Sequence, residues 1–449
     1  MENGDAPQVY SGLSTENLFD FDSRVLCNTG GLHEIPLRNL PKTVENLSLT
    51  KNNFTVIKSD AFMGLKNLRK ISLDGNNISH IKAFAFRGLP RLRELSIQHT
   101  HLTSISSFSF AGLQNVSVLL LNHNKIHKIE EFSFAGTANM RLLLLNNNPL
   151  HRIESNAFSS LSNVEHLILP SGIKVVEPDA FCGLESVGLL KISYMDLKTL
   201  QANTFRGLSK VHFLAIQDSD LGVIEEDAFI GLNHITSLNI MNNKIDSIRE
   251  FKFNASNSIK NIRFHGNHVL QSPHVSAISV EHVDNFSVYN NHFPCDHCNI
   301  YSLLESSFAK SNVNHFIKNN YCISPLSLNG KPISSLDINA IITECSSMNE
   351  VSIYSKYNKN KAVTDIPRCE LFLDINAIIT ECSSMNEVSI YSKYNKNKAV
   401  TDIPRSYKTH SFNPALSNNQ SNFIQDLEFL CKVFGDLIPS MTAAEEKFS

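Results

Sequence analysis

Val116-Ser117-Val118-Leu119-Leu120-Leu121-Asn122-His123-Asn124-Lys125-Ile126-His127-Lys128-Ile129, followed by Phe134, is one copy of a sentence spoken eleven times between Val44 and Asn291. Its spacing, apolar residues at 119 and 121, Asn at 124, apolar residues at 126 and 129 and Phe at 134, returns about every twenty-four residues. Units of that length cannot bury an apolar face alone and must stack on their neighbours, so the period predicts a solenoid.

The paired aliphatic positions are Leu47/Leu49, Ile71/Leu73, Leu95/Ile97, Leu119/Leu121, Leu143/Leu145, Leu167/Leu169, Leu190/Ile192, Leu214/Ile216, Leu238/Ile240, Ile262/Phe264 and Phe286/Val288. Each pair alternates in and out, as a short strand requires, and successive strands lie parallel. At about 4.8 Å per strand, eleven make a sheet arc of roughly 50 Å. Three residues after a pair stands Asn52, Asn76, Asn124, Asn148, Asn243, Asn267 or Asn291, where a buried amide can serve backbone groups that the turn leaves unpaired. Phe recurs at 62, 86, 110, 134, 158, 181, 205, 229 and 253, which predicts an aromatic column on the convex side of the core. That column accounts for 28 Phe in a chain without Trp.

These residues resemble the typical 24-residue leucine-rich repeat with its asparagine ladder and phenylalanine spine. The resemblance implies an α/β, β-rich horseshoe with about eleven short parallel strands on its concave face. It also implies a binding function in an extracellular protein or receptor ectodomain, without catalysis or a cofactor. The expected division is a lead-in and incomplete N-terminal cap at 1–43, repeats at 44–291, a cysteine-rich cap at 292–345, a duplicated and weakly ordered segment at 346–420, and a short amphipathic helix and tail at 421–449. The duplication is an unchanged copy of Leu336–Arg368 at Leu373–Arg405.

Cys295, Cys298, Cys322 and Cys345 resemble the four-cysteine C-terminal cap of extracellular leucine-rich repeat proteins, which implies the pairs Cys295–Cys322 and Cys298–Cys345. Two departures are a second residue between the first two cysteines and the absence of the usual Trp. The residues leave a zinc reading open, because Cys295-x-x-Cys298 has metal-ligand spacing beside His292 and His297. Nine cysteines are an odd number, so at least one thiol lacks an intramolecular partner.

No phosphate-binding glycine loop, nucleophile elbow or His-Glu-x-x-His motif occurs, and a net charge of −3 makes no case for nucleic acid. His99 and His123 share a column on neighbouring repeats and read as a solvated pair, with a pH-sensitive surface as the alternative. A more pointed signal is aliphatic residues at outward strand positions: Val118, Leu120, Leu142, Leu144 and Ile168, continued by Leu189, Tyr194 and Phe213. Such a patch marks a binding surface or a surface covered by other parts of the chain. Here the repeat at Leu169–Ile173 is one residue short, and Met195 and Ser219 stand where Asn would; Thr100 is an earlier lapse. The partner site is therefore expected over residues 118–219, flanked by Arg69, Lys70 and Arg93.

The partner is expected to be a protein ligand or receptor, with a homodimer as one arrangement. A regulatory subunit holding an enzyme and an intracellular scaffold are the alternatives. Sequons stand at Asn46, Asn53, Asn77, Asn115, Asn254, Asn285 and Asn419, about as many as chance supplies in a chain rich in Asn and Ser. The opening residues lack the features of a signal peptide and no long apolar run is present, which reads as a fragment, a misassigned start or an ectodomain without its span.

Overall fold

The computed structural model describes residues 24–345, apart from 138, 160, 255, 256, 297 and 298. The expected duplicated segment and C-terminal helix, with Asn419, lie outside the described residues.

Among the described residues the concave face is one parallel sheet of twelve strands, the eleven of the repeats and one more from the lead-in. In chain order these are β1 (Arg24–Leu26), β2 (Asn46–Ser48), β3 (Lys70–Ser72), β4 (Glu94–Ser96), β5 (Val118–Leu120), β6 (Asn139–Leu144), β7 (Asn163–Ile168), β8 (Ser186–Ser193), β9 (Lys210–Gln217), β10 (His234–Met241), β11 (Ser258–His265) and β12 (Asn285–Tyr289). The first aliphatic residue of every repeat pairs with its counterpart: Leu47 with Ile71, Leu95 with Leu119, Leu143 with Leu167, Leu190 with Leu214, Leu238 with Ile262, and Ile262 with Phe286. From β2 to β12 consecutive registers are offset by 24 residues except between β7 and β8, where Asn163 meets Ser186 across the shortened turn; the lead-in pair is closer still, Arg24 meeting Asn46.

The additional strand comes from the lead-in. Val25 pairs with Leu47, so β1 covers the edge that β2 would otherwise expose. Asn52 fastens this entry: its Nδ2 donates to the carbonyl of Cys27 at 2.7 Å, while its Oδ1 accepts the N–H groups of Gly30 and Leu32. The cap is held by hydrogen bonds, and Cys27 is a free, half-buried thiol whose pKa is raised by burial.

The asparagine ladder works as a chain of shared backbone groups. Asn124 Nδ2 donates to the carbonyls of Ile97 and Leu121, and its Oδ1 accepts the Thr100 N–H at 2.8 Å. Asn243, Asn267 and Asn291 repeat the arrangement, each Oδ1 accepting the N–H of the residue one rung earlier. Two lapses still carry the ladder: Thr100 Oγ1 donates to Asn124 Oδ1, and Ser219 Oγ accepts the Met195 N–H. Met195 supplies no polar side-chain atom, and neither does Gly172 in the shortened repeat.

Behind the sheet the phenylalanine spine runs from Phe62 to Phe229, with adjacent rings stacked at centroid distances between 5.6 and 6.4 Å. All but Phe229 are fully buried, and burying one such ring contributes about 1.5–3 kcal/mol. Beyond Phe229 the stack gives way to edge-on packing with Phe251, as the solenoid meets its cap.

The cap consists of α1 (Asn299–Leu304), α2 (Ser307–Lys310), α3 (Val313–Asn319) and α4 (Ile338–Cys345), with strand Tyr321–Ser324 paired in parallel to His292–Pro294. Ser306 and Asn312 cap the second and third helices through Phe308 N–H and His315 N–H. Phe308 and Phe316 close the end of the core against Phe264, Phe286 and Phe293.

Candidate functional site: the concave face

Two columns of outward side chains run across the sheet, and the strand register fixes their order. The first reads Asn46, Lys70, Glu94, Val118, Leu142, His166, Leu189, Phe213, Ser237, Asn261 and Asn285. The second reads Ser48, Ser72, Ser96, Leu120, Leu144, Ile168, Lys191, Ala215, Asn239, Arg263 and Ser287. Within the repeats both columns are polar toward their ends and apolar in the middle, while β1 adds Arg24 to the first column and the exposed Leu26 to the second. Alternation along a strand permits either character on the solvent side, so the apolar middle is a property of sequence and not of the fold.

Leu142 lies opposite Val118, and Leu144 opposite both Leu120 and Ile168, so five of the eight predicted residues form one block on β5, β6 and β7. Val118 is 8% exposed and serves mainly as packing; the other four are half-buried. Leu189 and Phe213 are paired on β8 and β9, with Ala215 beside them. His166 and Lys191 separate the two apolar groups, because they stand in register with Leu142 and Ile168. Alignment of the repeats carries that interruption, yet a reading that gathers only aliphatic residues passes over it.

Tyr194 belongs elsewhere. It follows β8 in the left-handed backbone region at φ 55°, the turn position held by His99, His123 and Asn147 in earlier repeats. At 61% exposure it stands on the rim of the sheet rather than in either column. His99 and His123 stack there at 4.5 Å, and Asn147 Nδ2 lies 2.9 Å from His123 Nε2.

The basic flank is at the start of the strands. Arg69 faces Glu45 at 3.3 Å and Lys70 faces Glu94 at 2.6 Å, while Arg93 turns toward the carbonyl of Asn115. Asn46, the first sequon, is half-buried on the concave side beside Lys70; Asn53 and Asn77 are hydrogen-bonded to each other, and Asn115, Asn254 and Asn285 are exposed.

At the other end, Cys295 and Cys322 are joined by a disulfide, which occupies two of the sulfurs that a zinc site would need. Cys345 is also disulfide-bonded, and Cys298 lies outside the described residues. Among the described residues no cluster of three His, Cys, Asp or Glu is arranged to hold a metal ion, and no helix is long and apolar enough to cross a membrane. Nearby, His292 stacks on His268 at 4.5 Å and on Tyr321 at 5.5 Å. Burial, followed by the neighbouring His268, holds the His292 pKa below its ordinary value, and its Nδ1 is buried without a hydrogen-bond partner.

Family models agree with this geometry. The leucine rich repeat model matches residues 42–102, 90–150 and 114–171, and the BspA type leucine rich repeat region, six copies, matches 151–275 and 183–314. The chain belongs to the leucine-rich repeat family. No curated protein sequence matches it significantly. Among solved structures, this leucine-rich repeat chain is similar to a chain of the octameric complex of Latrophilin 3, Unc5D and the leucine-rich repeats of FLRT2, at 20% identity and a TM-score of 0.48, covering 71% of this chain and 96% of that one. Human 5T4, a trophoblast glycoprotein, is 20% identical over 70% of this chain and 92% of its own, with a TM-score of 0.35. The leucine-rich repeat domain of APL1B is 15% identical over 64% and 85% of the two chains, with a TM-score of 0.40. As a leucine-rich repeat solenoid the protein belongs to the general class of protein-recognition modules.

Proposed function

We propose that the protein is a non-catalytic extracellular recognition or adhesion module that binds a partner protein on its concave face. The observation that carries this reading is the change of character along the two outward columns. Within the repeats the solvent-facing positions toward both ends are Ser, Lys, Glu, Asn and Arg, but Leu120, Leu142, Leu144 and Ile168 stand on three consecutive strands between them. Half-exposed aliphatic side chains in contact across strands form the kind of surface that gains most from being removed from water by a partner. Leu189 and Phe213 extend it, and His166 and Lys191 supply polar groups within the contact.

The cap disulfide supports folding in an oxidising compartment, and with it an extracellular location rather than an intracellular scaffold. Hydrogen-exchange footprinting of the full chain with a captured receptor ectodomain tests the site. Protection of the backbone around Leu120, Leu144 and Ile168 is expected; protection confined to the convex turns would place the partner elsewhere.

A further inference from the structure

Beside the concave face, at the edge where β3 and β4 begin, a recess of about 340 Å³ is lined by Arg69, Pro90, Arg91 and Arg93. Its wall contains three guanidinium groups and no carboxylate. Their neighbours orient these groups without neutralising all of them. Arg91 Nη1 donates to Asn67 Oδ1 at 3.0 Å and Arg93 Nη1 to the Asn115 carbonyl at 3.3 Å, both uncharged acceptors. Glu45 faces Arg69, and Glu94 on the same edge is taken by Lys70 at 2.6 Å.

Arg69 and Arg93 are backbone-paired neighbours, the Arg93 N–H donating to the Arg69 carbonyl at 2.8 Å, so their charges are carried side by side on adjacent repeats. Exposed Lys42 and Lys66 extend the positive edge toward the N-terminal side, and exposed Arg141 extends it two repeats on. Like charges gathered around a concavity repel one another until an anion enters. Guanidinium forks match the paired oxygens of a tetrahedral oxyanion better than an ammonium group does.

We propose that this recess binds a sulfate group of a sulfated polysaccharide, with the chain lying along the edge from Lys42 to Arg141. This ligand differs from the protein partner assigned to the apolar block, and its binding does not depend on that assignment. Arg69 and Arg93 stand on adjacent repeats and Arg141 two repeats on, so cations are arrayed along one edge, as a chain that carries several sulfate esters requires. A nucleic acid offers the same oxyanion geometry, but the disulfide-closed cap favours an extracellular ligand.

The test is fluorescence anisotropy of a labelled heparin-derived octasaccharide with the full chain after enzymatic removal of N-glycans, since a glycan on Asn115 would overhang the recess. Arg91→Ala and Arg93→Ala are each expected to weaken binding about tenfold, and Arg93→Lys to restore it only in part. Lys260→Ala with Arg263→Ala, which removes two charges at the far end of the same sheet, is expected to leave binding unchanged. Desulfated octasaccharide should not bind. Equal loss in the far-end variant, wild-type affinity in the Arg91/Arg93 double variant, equal binding of desulfated sugar, or binding of single-stranded RNA in preference to the octasaccharide would each overturn the proposal. Unchanged melting temperatures separate loss of the site from loss of the fold.

Discussion

Asn320 Oδ1 accepts two hydrogen bonds from Asn291, one from its backbone N–H and one from its Nδ2, each at 3.0 Å. The last repeat is thereby tied to the cap by the same device that ties repeats to one another. Asn320 Nδ2 continues the pattern by donating to the carbonyls of Val288 and Phe316. The ladder thus crosses from solenoid into cap without a break in its bonding.

Replacing Asn320 by Ala removes the side-chain partner of the Asn291 N–H and of the Val288 and Phe316 carbonyls, while Asn291 Nδ2 keeps the carbonyls of Phe264 and Tyr289, and each buried group left unsatisfied costs about 1–3 kcal/mol. Asn320→Ala should therefore lower stability in urea by at least ~3 kcal/mol, whereas Asn314→Ala on the exposed face of α3 should stay within about 0.5 kcal/mol. Equal, small effects would show that the rung is not a structural tie.

The same stacking logic applies to the spine. Phe158 is fully buried between Phe134 and Phe181. Truncation to Ala leaves a cavity in a quasi-one-dimensional core and should cost about 3–5 kcal/mol. A denaturation series comparing it with wild type checks the figure.

The horseshoe was legible because its residues recur: each Leu or Ile in a column votes for the same register. Features that occur once were not legible. Asn320 sits 29 residues after Asn291 at the end of a cap helix, outside the 24-residue count. β1 is only three residues long, with Leu26 exposed, and offers no periodicity to read. Thr100 and Ser219 look like losses because a hydroxyl is not an amide, yet Ser219 Oγ accepts the N–H one rung earlier, as an asparagine would, and Thr100 Oγ1 joins the ladder by donating to Asn124 Oδ1. In the candidate site, alternation located the Leu120 and Leu144 column correctly. It misled at Tyr194, where the two-residue period ends and the backbone turns into the left-handed region.

The cap should be sensitive to reduction. Cys295 and Cys322 are separated by 27 residues, and closing a loop of that length contributes roughly 3–4 kcal/mol in the chain-entropy account. Cys295→Ala combined with Cys322→Ala should lower the urea midpoint, and reductant should lower that of the wild type but leave smaller room for change in the variant.

Acidification should weaken the same region. The His292 pKa is held below its ordinary value in the folded protein, by burial and then by His268. The unfolded chain therefore binds the proton first. The stabilising contribution of neutral His292 is complete above the ordinary histidine pKa near 6.5 and is lost as pH falls below it toward the lowered folded value. His265, lowered by burial and by Arg263, acts in the same direction. Thermal melts between about pH 7.5 and 5 should show falling stability, with a shallower slope in His292→Phe; an unchanged slope would remove His292 from the account.

The concave block is tested most directly by measuring the affinity of a receptor ectodomain partner for wild type and for Leu120→Asp with Leu144→Asp. Both side chains are half-exposed in the free protein, so the fold should remain, as a wild-type melting profile would confirm. Removing central apolar contacts and burying two carboxylates should weaken partner binding at least about thirtyfold. A folded double variant that binds its partner as tightly as wild type would contradict the assignment of this face.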